Sequence, residues 1–217
     1  MQESFYGQAE QDKFVLNILK GKKNGFFLEI GSNDPININN TYLLEKKYDW
    51  KGIMVEYESR YAELYKIHRG NSIHIINNAT QVDYKSIFEE NNMPFNMDYL
   101  QIDLEANNGS TINTLIKLDT ELFDKYKFAT VSFEHDIYHT NYANTREKSR
   151  EIFYKRGYVC VFKDISYLGN PFEDWYVHPD LVDMNYIENL INLNKNKYKF
   201  ENITNISSIN CKNIEYL

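Results

Sequence analysis

The feature that most constrains this chain is an alternation: short apolar runs take turns with longer segments of helical periodicity. Residues 8–20 (QAEQDKFVLNILK) read as a helix, with Phe14, Leu16 and Leu19 among its apolar positions and Gly21 as its stop. Phe26–Ile30, closed by Gly31, reads as a strand. Further strands are expected at Gly52–Glu56, Ser72–Ile76, Tyr99–Leu104, Ala129–Phe133 and Tyr158–Phe162. Helices are expected between them at residues 40–48, 59–69, 83–91, 111–119 and 145–156, the last closed by Gly157 in a C-cap position. Apolar strands separated by helices predict an α/β fold, a mostly parallel sheet covered on both faces.

There is no internal repeat and no linker rich in Pro, Ser or Gly, so one domain is expected over residues 1–217. It has a leading helix at about 8–20 and an Asn- and Lys-rich C-terminal tail from about Asn185, read as a helix and a weakly ordered end. Lys and Arg total 24 against 31 Asp and Glu, a net charge of -7. Non-specific nucleic-acid binding needs clustered cations, so no nucleic-acid partner is expected. No apolar run is long enough to span a membrane. The opening MQESFYGQAEQDK lacks a basic stretch followed by an apolar one, and the expected location is cytoplasmic. Cys160 and Cys211 are too few for a disulfide framework and too isolated for a zinc site.

Ligands of such a sheet bind beyond the carboxyl ends of its strands. Four of those ends are polar and acidic. The first is Glu29-Ile30-Gly31-Ser32-Asn33-Asp34, where Gly31 permits a sharp turn and close backbone approach. Asn33 and Ile36 stand where a dinucleotide motif has its second and third glycines, which argues against a nicotinamide oxidoreductase. Glu56 ends the second strand and can accept both hydroxyls of a ribose. Asp103-Leu104-Glu105 and Glu134-His135-Asp136 follow the fourth and fifth strands. Carboxylates gathered there need something cationic between them, a divalent metal or a substrate.

These residues, with YGQAEQDKFVL, NGFFLEIGSNDPININNTYLLEKKYDWKGIMVE, DYLQIDLE, SFEH and EDWYV, resemble the FkbM-type S-adenosylmethionine-dependent methyltransferases over roughly residues 5–178. The resemblance implies the class I methyltransferase fold, a Rossmann-like three-layer sandwich on a seven-stranded sheet with one antiparallel strand. That strand is expected at Trp175–His178. The resemblance implies S-adenosylmethionine as cofactor, with Glu29, Gly31, Ser32 and Asn33 around its methionine part and Asn40 and Thr41 closing the pocket. It implies Glu56 on the ribose, Asn78 and Ala79 near the adenine, and Asp103 at the amino group or reacting centre. Gln8, Gln11 and Asp12 are expected to lid the pocket. The chain has Pro35 where the family often has Gly, Tyr57 where it often has Pro, and Ala106 where it often has Gly.

The implied reaction is O-methylation of a small-molecule hydroxyl, most simply on a sugar, glycan or nucleotide-sugar, or else on a non-sugar natural product. His135 is the expected general base, because imidazole titrates near neutrality; His139 and His178 are secondary candidates. Asp103, Glu134 and His135, with Asp136 in reserve, are alternatively expected to hold Mg²⁺ or a similar ion that lowers the acceptor's pKa. Arg146, Lys148 and Arg150 are the basic residues that a nucleotide-linked acceptor would need. A cofactor-binding but inactive scaffold is the competing class; it has no need of Asp103, Glu134 and His135.

Overall fold

The computed structural model describes residues 4–139 and 142–197, with side chains to residue 191. The rest of the tail, Cys211 included, lies outside the described residues. The chain runs α1 (Gln11–Ile18), β1 (Phe26–Ile30), α2 (Tyr42–Tyr48), β2 (Lys51–Glu56), α3 (Ala62–His68), β3 (Ile73–Ile76) and α4 (Tyr84–Glu90). It continues through β4 (Asn96–Ile102), α5 (Ser110–Glu121), β5 (Lys127–Glu134), α6 (Ala143–Lys155), β6 (Val159–Tyr167), β7 (Asn170–Val177) and α7 (Met184–Lys197). The seven strands form one sheet in the order β3-β2-β1-β4-β5-β7-β6. Strands β1 to β5 pair in parallel, and β7 runs antiparallel to both β5 and β6. The chain winds outward from β1 to β3, then restarts at β4 and winds the other way. The switch point therefore lies between β1 and β4, where open α/β sheets bind ligands.

Alternate residues of each strand supply the two faces. One face is almost wholly apolar: Leu28, Ile30, Ile53, Val55, Leu100, Ile102, Val131 and Phe133 pack with Phe88 of α4, Leu115 and Leu118 of α5 and Phe153 of α6. The other begins apolar, with Phe27, Met54, Tyr99 and Trp175 against Phe14 and Val15 of α1 and Leu44 of α2. Toward the carboxyl ends this second face turns polar, with Glu29, Gln101, Ser132 and Glu173 all buried. Register places Glu29 beside Gln101, Gln101 beside Ser132, and Glu134 beside Glu173.

The antiparallel strand occupies Asn170–Val177 rather than Trp175–His178, and β6 runs on to Tyr167, past the expected end at Phe162. The extra length is Lys163-Asp164-Ile165-Ser166-Tyr167, which carries register shifts and mixed polarity and so gives no apolar run to read. It is held by ion pairs instead: Arg150 and Arg146 of α6 both bond Asp164. Leu168 and Gly169, both at positive φ, form the two-residue turn that joins β6 to β7. Among the described residues no helix is long and apolar enough to cross a membrane.

Candidate active site

The β1–α2 loop leaves the sheet at Gly31, whose φ is +83°. A Cβ there would lie 1.8 Å from the Asp103 carbonyl oxygen, so only glycine lets the loop cross the end of β4. The loop is held from within. Gly31 and Ser32 donate their N–H groups to the Val55 carbonyl, and Ser32 Oγ bonds the Glu29 carbonyl at 3.2 Å. Asn39 Nδ2 donates to the Ser32 carbonyl at 3.0 Å and to Glu29 Oε2 at 3.3 Å. Glu29 and Thr41 are fully enclosed, so they support the loop from beneath. Burial pushes the Glu29 carboxyl up, opposed by Arg69 and the hydroxyl and amide groups around it. Asn40 is buried too, and its Oδ1 has no hydrogen-bond partner among the described residues.

Glu56 sits at the mouth of this loop. Its Oε2 accepts the Asn33 N–H at 2.7 Å and its Oε1 accepts the Glu58 N–H at 2.8 Å. Each oxygen keeps a lone-pair direction after those bonds. Beyond it opens a cleft of about 580 Å³, lined by Tyr57, Glu58, Ser59, Arg60, Ile76, Asn77 and Asn78. Asn78, expected near the adenine, lines this cleft. Ala79, expected beside it, is packed in the apolar core, its carbonyl accepting the Tyr84 hydroxyl at 2.9 Å.

Asp103 and Glu134 come together at the ends of β4 and β5, hydrogen-bonded to one another. Burial raises both carboxyls, and neighbouring carboxylate charges push Glu134 up further, so the two titrate as a pair. Asp136 adds a third charge beside them. Glu173 faces the same side from β7, directly opposite Glu134. Its Oε1 accepts Gln11 Nε2 and Trp175 Nε1, each at 2.7 Å. Burial, with the Asp103 charge, pushes it up to about 8. Glu173 is not among the residues expected from the sequence; the signal for it is its place two residues before Trp175, on the same face of β7.

His135 parts from Asp103 and Glu134. Consecutive residues of a strand point to opposite faces, and His135 turns to the other one, fully buried. Its Nε2 lies 3.5 Å from Asp174 Oδ1 and 3.6 Å from Asp164 Oδ1, and its Nδ1 accepts the Ile137 N–H at 3.2 Å. The expected metal triad of Asp103, Glu134 and His135 is therefore not assembled. Among the described residues the three-ligand group is His135, Asp164 and Asp174. Guanidinium groups already neutralise it: Arg150 bonds Asp174 through Nε and Nη2 and Asp164 through Nη2, and Arg146 bonds Asp164. That donor set does not fit a cation. The same bonds take Arg146 and Arg150 away from any nucleotide-linked acceptor, while Lys148 is exposed. His178 follows antiparallel β7 and bonds the Ala129 carbonyl near the start of β5, at the opposite end of the sheet from the switch point. His139 is exposed beside Tyr138 and Tyr142.

The leading segment packs down on the site. Asp12 Oδ2 accepts the Tyr6 N–H at 2.7 Å, and burial raises this carboxyl to about 7. A Cβ on Gly7 would meet Gln11 Oε1 at 2.6 Å and Asn40 Oδ1 at 2.7 Å, so the segment lies directly against α1 and the β1–α2 loop. Gln11 and Asp12 are buried and Gln8 is half-buried.

The chain matches no protein-family model and no curated protein sequence. Solved structures do resemble it. The methyltransferase domain of METTL16 superposes with a TM-score of 0.51 at 10% identity, over 77% of this chain and 65% of that one. A TehB-like SAM-dependent methyltransferase from Corynebacterium glutamicum gives 0.49 at 9% identity, over 81% and 89% of the two chains. A methyltransferase from Pyrococcus furiosus gives 0.49 at 17% identity, over 78% and 81%. With the strand order, the METTL16 likeness establishes the Rossmann-like class I methyltransferase fold.

Proposed function

We propose that this chain is an S-adenosylmethionine-dependent methyltransferase of the FkbM type, acting on a hydroxyl of a small molecule, most simply a sugar or glycan. The observation that carries the reading is Glu56. It is a carboxylate at the end of β2, held by two backbone N–H groups between the Gly31 turn and an open cleft. That is the chemistry a ribose needs, two acceptors fixed in advance of its arrival. The other donors and acceptors suit the rest of the cofactor. The unpartnered Asn40 Oδ1 is an acceptor for an ammonium group. Tyr57, Asn77 and Asn78 offer an aromatic face and amides to a purine.

The cofactor, when bound, supplies a methyl group on a positively charged sulfur. The chain's own residues position the acceptor and handle its proton. Asp103 and Glu134 together are the proton acceptor of this reading, the proton of the acceptor hydroxyl passing into the pair. Tyr138, His139 and Tyr142 cluster just past β5 and offer ring faces to the C–H groups of a sugar. No step runs through a metal, because the expected ligand triad is split between two faces of the sheet.

Calorimetric titration with S-adenosylhomocysteine tests the reading. The expected result is binding to the wild type and loss of roughly a hundredfold in affinity for Glu56→Ala, which removes two charge-assisted bonds to the ribose. A wild type that binds none would end the methyltransferase reading.

A further inference from the structure

Arg69 follows the last turn of α3, and its side chain is wholly enclosed. Its guanidinium is spread over one segment. Nε donates to Glu45 Oε2 at 2.8 Å, Nη1 to Asn39 Oδ1 at 2.8 Å and to the Pro35 carbonyl at 3.4 Å, and Nη2 to Thr41 Oγ1 at 2.6 Å. Nη1 also stands 3.9 Å from Glu29 Oε2. All four side-chain hydrogen bonds end on residues 35–45. Asn39 relays the grip: its oxygen also accepts the Thr41 N–H, and its amide nitrogen holds the Ser32 carbonyl and Glu29. One buried cation is thus tied to both ends of the loop that begins at Gly31.

A buried ion pair is a poor way to gain stability alone, since removing charges from water costs about as much as pairing them returns. What the fork does provide is geometry. A planar guanidinium fixes three partners in one plane, and lysine cannot. The loop it holds carries Asn40, whose Oδ1 is left free of partners. Arg69 itself lies beneath the loop, where no ligand reaches it.

We propose that Arg69 is a positioning residue: it sets the β1–α2 loop in the shape that receives the amino-acid end of the cofactor. The proposal rests on the reading of the pocket given above. Its signature is a split between ligands, because the fork grips the loop and not the cleft beyond Glu56.

The test compares S-adenosylhomocysteine with 5′-methylthioadenosine, which has the same nucleoside and thioether but no amino-acid end, by calorimetry on wild type and Arg69→Lys. Arg69→Lys keeps the charge and loses the fork. The expected result is a loss of roughly tenfold or more for S-adenosylhomocysteine, with little change for 5′-methylthioadenosine. Equal losses for both ligands, or none for either, would overturn the proposal while leaving the pocket reading standing. A wild type that binds neither removes the pocket reading and the proposal with it. If Arg69→Lys does not fold, Asn39→Ala, which cuts the relay while Glu45 still pairs the guanidinium, decides by the same ratio.

Discussion

Glu173 and Asp174 are neighbours on β7, equally deep in the protein, and their electrostatics are opposite. Glu173 faces α1 and, among the described residues, accepts from the neutral donors Gln11 and Trp175; burial wins and its carboxyl rises to about 8. Asp174 faces α6. Burial raises it as well, but Arg150 and His135 outweigh burial and hold it well below the carboxylate range. It also accepts the Asp164 N–H at 2.8 Å and the Tyr176 hydroxyl at 3.0 Å. The difference teaches what each face is for. Acids on the α6 face are paired within the protein and tie a helix to a hairpin. Acids on the α1 face, Glu173 with Asp103 and Glu134, have no cationic partner among the described residues, and burial raises all three.

Three substitutions sharpen or break this contrast. Asp174→Ala should have the largest effect, about 3 to 5 kcal/mol of stability in a denaturant titration near neutral pH, since it strips Arg150 of its bidentate partner. The wild type should lose this contribution on acidification. A depressed carboxyl favours the folded state above its unfolded pKa, and the gain drains away as pH falls through the folded value. A loss below about 1 kcal/mol would place Asp174 with the weak surface pairs. Tyr176→Phe comes next, removing one hydroxyl donor to that carboxylate, for about 1.5 kcal/mol by the same measurement. Glu173→Gln should change stability least at mildly acidic pH, because the amide oxygen can still accept from Gln11 and Trp175. Its raised carboxyl has the opposite sign: the contribution is complete below the unfolded pKa and is lost as pH rises through about 8. Thermal midpoints followed from mildly acidic to alkaline pH should therefore fall less steeply in Glu173→Gln than in the wild type. Parallel curves would assign the slope to another group, Asp12 first, which rises to about 7.

The parallel half of the sheet was legible because most of its strand residues are apolar and the strands alternate with segments of helical period. The β6–β7 hairpin was not, because Asp164, Glu173 and Asp174 are stabilised by arginines and glutamines from distant helices, which no local pattern records. The same reasoning separates the site residues. Gly31, Glu56, Asp103 and Glu134 follow from their places at strand ends. His135 is expected there by its residue type and position, but strand alternation sends it to the opposite face from Glu134. Arg69 reads as an ordinary helix-terminal cation beside His68 and Gly70. Only the three-dimensional fold brings residues 29, 39, 41 and 45 around it.

The strand order also has a consequence for how the chain is made. Phe27 of β1 pairs with Gly52 on one side and Tyr99 on the other, so β1 fills one edge early and the other only after β2, α3, β3 and α4 have emerged. Until Asn96–Ile102 is synthesised, Phe26–Ile30 is an unpaired apolar margin, the kind of edge that recruits strands from other chains. Closure of the central pair is a long-range event and correspondingly slow. The hairpin of β6 and β7, by contrast, closes over two residues and is a local contact, its pairing with β5 alone being long-range. Contact order thus sets the two halves of the sheet apart, and the meeting of Gly31 with Asp103 belongs to the long-range half.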